Sequence, residues 1–285
     1  GSDELTVVVN TADDDRFYGL HVSPDLDTVM YTLAGVSNSE MGWGLVSESF
    51  RTLERLKEYG VDAWFNLGDL DLATHLYRTK MLDEGKTLSE VCQQLAKSLG
   101  VEHKILPVTD SSIKTVLETQ DGVMSFQEYF VKNQCEPVVK SIDFEGSSNC
   151  TVTPEVRQAV MNMDLLVFCP SNPFVSLAPI LSVPGFKQLI ESFSGRSIGV
   201  SLIVGGEAIK GPAAKMLKEL GHDVSSLGVA RQYVGLCNTF IIDEKDVALK
   251  EEIESLGMDV FVTQTIMETD QDKKQLAQYI LEISA

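Results

Sequence analysis

The sequence predicts an α/β protein with a Rossmann-like, doubly wound and mainly parallel sheet, into which a strand-rich and helical subdomain is inserted. Three observations support this fold class. Short β-branched runs alternate with amphipathic helical segments along most of the chain. The alternation is interrupted between residues 101 and 152, and small polar or acidic residues follow several predicted strands, where open α/β sheets bind their ligands.

Composition limits the classes of partner. The chain has 285 residues, enough to bury a core, and a formal net charge of −19. We therefore expect no nucleic-acid partner and no membrane partner, because phosphate groups would be repelled. The sequence has no apolar run near the roughly 18 residues that span a bilayer and no visible signal peptide, which predicts a cytoplasmic protein. Its cysteines and histidines lack the spacing of a zinc site.

The first predicted strand, residues 7 to 9, leads into an unusually acidic stretch. Ser23 suits an N-cap and Pro24 a first helical position, so a helix is predicted from there to Leu33. The carboxylates of the loop and of this first turn are Asp13, Asp14, Asp15, Asp25 and Asp27. Gathered together they would repel one another, which favours a bound hard cation such as Mg²⁺. The alternative is an ordinary N-cap beside a solvated acidic loop.

A second polar set follows the next apolar run. A helix is predicted over residues 48 to 59, and after it the run at 64 to 67 ends in Gly68 and Asp69. If a helix follows, Asp71, His75 and Arg78 share one face at spacings of four and three residues. This face could serve a ligand, or it could be the salt-bridged surface of an ordinary helix.

The segment between residues 101 and 152 is predicted to be an inserted subdomain or lid. A helix ends near Leu99, and short strands are then predicted at 105–108 and 115–119, with a hairpin turn at Asp121 and Gly122. The runs 126–130 and 138–144 extend this strand-rich part. Residues 1–100 and 153–285 would form the α/β core, and the whole chain one functional unit.

The alternation of helices and strands returns at residue 154. After a helix to about 161, the apolar strand 165–169 runs into Pro170, Ser171, Asn172 and Pro173. This rigid turn could aim a hydroxyl, an amide and backbone N–H groups at a ligand, or it could be purely structural. Further predicted helices cover 184–193, 226–233, 247–256 and 272–283, and further strands 198–204, 240–243 and 260–262. Between the predicted strand at 198–204 and the predicted helix at 226–233, Gly211 and Lys215 suit the approach of a phosphate.

Five of these motifs, in this order and rough spacing, resemble the 2-phospho-L-lactate transferase family of the CofD and FbiA type, over nearly the whole chain. The motifs are Asn10-Thr-Ala-Asp13-Asp14, Ser23-Pro-Asp25-Leu-Asp27-Thr28, Leu67-Gly-Asp69-Leu-Asp71-Leu-Ala-Thr-His75, Pro170-Ser-Asn-Pro173 and Gly211-Pro-Ala-Ala-Lys215. Five motifs in order are far more specific than any one of them.

The resemblance implies a reaction in coenzyme F420 biosynthesis. A ribityl hydroxyl of the deazaflavin Fo attacks the lactyl-bearing phosphorus of lactyl-diphospho-guanosine, and GMP leaves. Some members use an enolpyruvyl donor instead, and the family needs Mg²⁺. Carboxylates suit this chemistry, because phosphoryl transfer depends mainly on positioning and charge neutralisation. We also expect a homodimer.

The resemblance also implies roles for individual residues. Asp13 and Asp27 are assigned the catalytic and metal-binding roles, with Asp14 and Asp25 as near alternatives. The remaining predicted substrate-binding residues are Asn10, Asp69, Asp71, His75, Arg78, Ser171, Asn172 and Pro173. Of these, the set from Asp69 to Arg78 is expected on the deazaflavin and diphosphate side.

Two departures from the family pattern bear on activity. Family members begin with a strand and a Gly-Gly-Thr-Gly type loop that cradles nucleotide phosphates. Deleting a buried parallel strand would expose its apolar neighbours. We therefore expect that this stretch has been omitted here. Leu70 stands where many members carry Arg. The alternative function is a non-catalytic, nucleotide-sugar or metabolite-binding regulator on the related fold.

Overall fold

The computed structural model of the protein describes residues 4–208 and 211–284. Its contacts divide the chain into two compact units, and each is described by itself below. The first unit consists of Gly1–Pro137, Ile142–Ala159 and Pro179–Phe186. The second consists of Val138–Ser141, Val160–Ala178 and Lys187–Ala285.

Strands and helices alternate along both units. The strands are β1 (Thr6–Val9), β2 (Asp15–Phe17), β3 (Leu20–Val22), β4 (Lys104–Pro107), β5 (Lys114–Thr119), β6 (Gly122–Ser125), β7 (Val139–Glu145), β8 (Leu165–Phe168), β9 (Arg196–Val200), β10 (Ile203–Val204), β11 (Glu207–Ala208), β12 (Thr239–Ile242) and β13 (Asp259–Val262). The α-helices are α1 (Pro24–Leu33), α2 (Arg51–Glu58), α3 (Asp71–Asp83), α4 (Leu88–Ser98), α5 (Pro154–Asn162), α6 (Ala178–Ser182), α7 (Phe186–Glu191), α8 (Ala213–Glu219), α9 (Ser226–Gln232), α10 (Lys250–Glu254) and α11 (Asp270–Ser284). Short 3₁₀ segments cover Ser147–Asn149 and Glu244–Leu249, and π-helical segments cover Glu128–Lys132 and Pro173–Leu177.

The first unit is built on a parallel pair of strands, β1 and β4. Strands β2 and β3 form an antiparallel hairpin, and β5 pairs antiparallel with β6 in a three-stranded sheet of order β6-β5-β7. The main core lies between β1, β4 and the helices α1 and α4. Its buried members are Val9, Leu26, Met30, Tyr31, Leu88, Cys92, Ala96 and Ile105. Burying these side chains fixes the start of α1 next to the end of β1, where the acidic residues lie.

The second unit contains a four-stranded sheet of order β13-β12-β9-β8, in which every neighbouring pair is parallel. Helix α11 packs on it through Leu276 and Ile280, against Ile198, Val200 and Ile241 of the two central strands. Parallel strands covered in this way carry continuous apolar runs, as β12 does. The predicted α/β fold with parallel sheets is confirmed.

Within the segment predicted as an insertion, the strands at its start and the hairpin are confirmed, but β4 belongs to the parallel pair with β1. Residues 101–152 fall in the first unit apart from Val138–Ser141. The lid role of this segment and its separation as a domain stay predictions.

The prediction of a strand over residues 126–130 is wrong, because this stretch is helical. Ser125 and Glu128 form a reciprocal capping box, in which each backbone N–H donates to the other residue's side chain at 3.3 and 3.0 Å. Phe126 and Phe130, four residues apart, stack with ring centroids 5.3 Å apart, which is a helical spacing. The Ser-x-x-Glu signal at residues 125–128 indicates a helix start.

Two other predicted elements are shorter than expected. Helix α2 begins at Arg51 rather than near residue 48, because Glu48 binds the start of a different helix, as described below. The strand predicted over 198–204 is broken at Ser201. Its hydroxyl donates to the carbonyl oxygen of Ile203 and accepts the Ile203 N–H, and this local turn ends β9.

Among the helices of the described residues, none combines the length and the apolar character that crossing a membrane requires.

Candidate active site

Asn10 joins two of the predicted carboxylates at the carboxyl end of β1. Its side-chain Nδ2 donates to Asp13 Oδ2 at 2.9 Å and to Asp25 Oδ2 at 3.0 Å. Its Oδ1 accepts the backbone N–H of Ala12 at 2.8 Å, which fixes the amide in this orientation. A single amide therefore holds a loop carboxylate and a helix carboxylate together. We call Asn10, Asp13, Asp14 and Asp25 the acidic cluster.

Asp14 is held by two residues that the sequence did not single out as site residues. The Ser23 hydroxyl donates to Asp14 Oδ2 at 2.6 Å, and His21 Nε2 lies 3.2 Å from the same oxygen. Ser23 does occupy the N-cap position of α1, but its side chain makes no capping hydrogen bond because it binds Asp14. The hairpin of β2 and β3 returns the chain to Asp14, and only the structure could show this.

The acidic cluster is short of positive charge. Burial raises the pKa of Asp13 well above its usual value, and the neighbouring Asp25 carboxylate raises it further. Burial likewise raises the pKa of Asp14, and it raises that of Asp25 to about 6. Asp13 Oδ1 and Asp14 Oδ1 are buried without a hydrogen-bond partner. Buried carboxylate oxygens in this state are suited to bind a cation.

Asp27 lies in a second group, in which a guanidinium already supplies the positive charge. Both Asp27 oxygens accept hydrogen bonds from Arg78, one of them from Nη1 at 3.0 Å. Asp71 accepts a hydrogen bond from the Tyr31 hydroxyl at 2.7 Å, and His75 lies between the two carboxylates. All five side chains are buried. We call Tyr31, Asp27, Asp71, His75 and Arg78 the arginine cluster.

The contact between Arg78 and His75 bears on the tautomer of the imidazole ring. A guanidinium is always a donor, so its Nη1, 3.2 Å from His75 Nδ1, requires that nitrogen to be an acceptor. The ring proton therefore sits on Nε2, which lies 3.2 Å from Asp71 Oδ2. The helical face predicted from Asp71, His75 and Arg78 exists, but it packs inward instead of facing solvent.

Among the described residues, the one group of three or more candidate metal ligands whose atoms lie within 4.8 Å of one another is Asp27, Asp71 and His75. Arg78 is bound to the first of these residues, and its positive charge opposes a cation there. In the acidic cluster, His21 Nε2 lies 3.2 Å from Asp14 Oδ2. The predicted metal role of Asp27 thus competes with the bound Arg78.

Asp69 caps α2, the helix that follows Glu48, and Glu48 caps α3, the helix that follows Asp69. The Asp69 carboxylate accepts the Ser49 hydroxyl at 2.6 Å and the backbone N–H groups of Arg51 and Thr52 at the start of α2. Glu48 Oε1 accepts the N–H groups of Leu70 and Asp71 at the start of α3. These N–H groups are therefore not free to bind a phosphate.

Gly68 allows this arrangement. A Cβ atom at position 68 would lie 1.1 Å from Glu48 Oε2, so a side chain there would displace Glu48 from the start of α3.

Ser171, Asn172 and Pro173 belong to the second unit and follow β8 directly. Asn172 is buried; its Oδ1 accepts the Phe174 N–H at 2.9 Å, and its Nδ2 lies 3.3 Å from Met216 Sδ. The Ser171 hydroxyl donates to the carbonyl oxygen of Cys169 at 3.2 Å. These contacts account for a structural turn, and the ligand-binding role of the three residues stays a prediction. Lys215, suggested for a phosphate, forms an ion pair with Glu219 at 2.7 Å.

The sequence analysis did not predict Tyr31, Glu48, His21 or Ser23 as site residues. Tyr31 reads as an ordinary apolar position of α1, and Glu48 as part of the following helix. Their partners, Asp71 and the start of α3, lie 40 and 22 residues further on, a separation that local patterns do not reveal.

Solved structures with the same fold include two crystal structures of a UPF0052-family protein from Bacillus halodurans. They match with TM-scores of 0.64 and 0.62 at 15% and 17% identity, over 98% of this chain and 91% of theirs. At this level of identity the likeness shows the fold alone.

Curated relatives are much more similar in sequence. The 2-phospho-L-lactate transferase of Methanosarcina mazei is 36% identical over 98% of this chain and 92% of its own length. The enzyme of the same name from Methanocaldococcus jannaschii is 37% identical, over 99% and 90%. A phosphoenolpyruvate transferase from Streptomyces griseus is 40% identical, over 90% and 82%.

A comparison with protein families matches residues 1–281 to the family described as "2-phospho-L-lactate transferase CofD". This match covers nearly the whole chain, as do the curated relatives, and it confirms the resemblance carried by the five motifs. The chain belongs to the CofD family of 2-phospho-L-lactate transferases.

Proposed function

We propose that the protein transfers a phospholactyl or phosphoenolpyruvyl group from a lactyl- or enolpyruvyl-diphospho-guanosine to the deazaflavin Fo, with release of GMP, in coenzyme F420 biosynthesis. The observation that carries this proposal is membership of the family along nearly the whole chain. The names of the curated relatives support the class of transferred group. The guanosine of the donor and the choice of Fo as the acceptor are taken from the family resemblance.

Both donors belong to the proposal. Relatives named for phospholactate transfer are 35 to 37% identical to this chain, and a relative named for phosphoenolpyruvate transfer is 40% identical over a shorter stretch. A difference of this size does not separate two donors that differ by two hydrogen atoms. The donor has to be identified by experiment.

We place a Mg²⁺ ion at the acidic cluster. Asp13 is its principal ligand in this proposal, with Asp14 and Asp25 beside it. The support is the pair of buried, unpartnered oxygens on Asp13 and Asp14, together with the raised pKa values of all three carboxylates. When bound, the ion would neutralise phosphate charge on the donor. Asp27 is kept as a predicted ligand, but an ion there would have to share its oxygens with Arg78.

The protein's own residues have separate tasks in this scheme. Asn10 keeps Asp13 and Asp25 together, and Asp14 is oriented by Ser23 and His21. Asp13 is also the group that would accept the proton of the attacking Fo hydroxyl, because burial makes its carboxylate an unusually strong base. Metal ligation and proton acceptance by the same carboxylate compete.

The test is a set of incubations with Fo, Mg²⁺ and each donor, followed by mass spectrometry of the products. The wild-type protein should give the Fo adduct and GMP from at least one donor. Asp13→Asn should lower turnover at least about a hundredfold, since it removes a charge at the reacting groups. Asp83→Asn, which changes an exposed carboxylate on α3, is the matched control and should leave turnover unchanged.

The outcomes separate the two levels of the proposal. No adduct from either donor, with a folded protein, would contradict the proposed reaction and favour a binding protein. An adduct formed at equal rates by Asp13→Asn and wild type would leave the reaction standing and remove Asp13 from it. The predicted homodimer is a separate point, checked by sedimentation velocity.

A further inference from the structure

The hairpin of β2 and β3 turns through Tyr18 and Gly19, whose φ angles are 54° and 85°. Positive angles at both residues are those of a type I′ turn, in which the residues flanking the loop exchange hydrogen bonds. Bonded and non-bonded pairs alternate along an antiparallel ladder, so the next pair, Arg16 with His21, is not hydrogen-bonded. The N–H of His21 therefore points away from β2 and needs another acceptor.

Thr79 of α3 supplies that acceptor. The His21 N–H donates to Thr79 Oγ1 at 2.8 Å, although 58 residues separate the two in sequence. The Thr79 hydroxyl donates its own proton to the carbonyl oxygen of His75, one helical turn earlier, at 2.7 Å. A hydroxyl has a single proton, so this bond to the helix leaves its lone pairs to the backbone of β3. The His75 carbonyl thus orients the side chain that holds His21.

The ring of the same histidine contacts the acidic cluster. His21 Nε2 lies 3.2 Å from Asp14 Oδ2, and the Ser23 hydroxyl donates to that oxygen at 2.6 Å. Among the described residues, the other oxygen of this carboxylate, Oδ1, has no hydrogen-bond partner. The orientation of Asp14 therefore depends on the two contacts at Oδ2, one of which comes from His21.

Neighbouring residues of α3 serve the two clusters. Arg78 donates to Asp27 in the arginine cluster, and the next residue, Thr79, accepts the N–H of β3. These contacts join Asp27 to Asp14 through adjacent residues of one helix and then through His21. A shift of α3 would accordingly move the ring that orients Asp14.

We propose that Thr79 is a positioning residue for the transfer reaction: its hydroxyl holds the backbone of His21, and the His21 ring in turn keeps Asp14 in place. This inference rests on the proposed function, which puts Asp14 beside the reacting groups. The competing explanation is that Thr79 only fastens α3 to the hairpin. The two differ in whether the effect of losing the hydroxyl passes through His21.

The first measurement is turnover of Fo by Thr79→Val, which keeps the branched shape of the side chain and removes the hydroxyl. Turnover number should fall about tenfold with the KM for Fo within about twofold of wild type, because Thr79 acts through Asp14 rather than on substrate. Thr79→Ser keeps the hydroxyl and should stay within about threefold of wild type.

Ser98→Ala is the matched control. Ser98 is exposed on α4, and its hydroxyl also donates to a carbonyl oxygen four residues earlier, at 2.8 Å. Turnover of this variant should equal that of wild type, because the lost bond lies within one helix. Circular dichroism confirms that each variant is folded, and Thr79→Ala replaces Thr79→Val in every measurement if the latter does not fold.

A double-mutant cycle with His21 separates positioning from fastening. His21→Ala removes the ring that contacts Asp14 and should itself lower turnover about tenfold. If Thr79 acts through that ring, adding Thr79→Val to His21→Ala should change turnover by less than about a further twofold. If Thr79 only fastens the helix, the two losses should multiply to about a hundredfold.

Hydrogen exchange followed by nuclear magnetic resonance reports on the contact independently of turnover. The His21 amide should exchange at least about tenfold faster in Thr79→Val than in wild type, because the variant offers no acceptor for it. Thr79→Ser and Ser98→Ala should leave the exchange of this amide near the wild-type rate. Unchanged exchange in Thr79→Val would show that the contact does not hold the hairpin in solution.

The outcomes distinguish this inference from the proposed function. Wild-type turnover by Thr79→Val, or losses that multiply in the cycle, would overturn the positioning role and leave the proposed reaction standing. If the wild type forms no adduct from either donor, the proposed function falls and the positioning role falls with it. Faster exchange at His21 would then mark Thr79 as a structural contact alone.

Discussion

Asp25 and Asp27 lie two residues apart in the first turn of α1, yet they belong to clusters of opposite electrostatic character. Asp27 is neutralised by Arg78, which donates hydrogen bonds to both of its carboxylate oxygens. Asp25 shares Asn10 with Asp13, and its pKa is raised to about 6 because burial is not offset by a cation. One helix turn therefore carries a carboxylate that is paired with a guanidinium and another that shares an amide with a second carboxylate.

Replacement by asparagine should destabilise the protein at Asp27 and stabilise the metal-free protein at Asp25. The change in stability at Asp27 should be the larger of the two. Asp27→Asn leaves Arg78 buried without its counter-charge and should lower the free energy of unfolding by about 3–5 kcal/mol. Arg78→Met leaves Asp27 buried without its counter-charge and should lower the free energy of unfolding by a similar amount. Urea unfolding of the metal-free proteins measures both, and a loss below about 1 kcal/mol would show that the arginine cluster is not architectural.

Asp25→Asn should stabilise the metal-free protein at neutral pH. Since the pKa of Asp25 rises from 3.8 to about 6 on folding, the folded state alone keeps its proton between these values. Stability of the wild type therefore falls as pH rises through this window, and below it the difference disappears. The variant should gain about 1–2 kcal/mol at pH about 7.5, after allowing for partial exposure, and nothing near pH 4.

Thermal melts of wild type and Asp25→Asn at several pH values provide the measurement. Equal stabilities at all pH values would mean that the acidic cluster is not short of positive charge in solution.

Added Mg²⁺ should raise the melting temperature of the wild type by an amount that grows from about pH 5 to about pH 7.5. The cation and the protons of the raised carboxyl groups compete for the same oxygens, so binding strengthens as those protons leave. Ca²⁺ is a useful comparison ion, because it accepts the same ligands with a looser geometry. A shift independent of pH would place the cation away from the acidic cluster.

Asp69→Ala should have the smallest effect, about 1 kcal/mol of stability, because it removes the cap of α2. If Asp69 has only this role, turnover with Fo stays near that of wild type once the protein is folded. A large rise in the KM for Fo would instead support the substrate-binding role predicted from the resemblance. Steady-state kinetics at a temperature well below the melting point distinguishes the two.

Local signals in the sequence predicted α1 and the shared face of Asp71, His75 and Arg78 on α3 well. Ser23 and Pro24 mark the helix start, and the spacing of Asp71, His75 and Arg78 places them together on one face. Whether that face is buried depends on Asp27, which lies 51 residues before Arg78 in the chain. Contacts over such separations leave no periodic trace, so the choice between surface helix and site needed the fold.

The acidic loop shows the same limit. Its carboxylates were evident from the chain, but the division into two clusters depends on Asn10, His21 and Arg78, which approach from three different elements. The helix at 126–130 was missed although Ser125 and Glu128 carried its start signal.

The close approach of Glu48 to Gly68 has a consequence for the history of the family. Because a Cβ atom at position 68 would occupy the place of Glu48 Oε2, a chain that acquires a side chain there loses the carboxylate at the start of α3. In aligned homologues the two positions should accordingly change together. Where position 68 is not glycine, position 48 should no longer be acidic, and the first turn of that helix would be open to another anion.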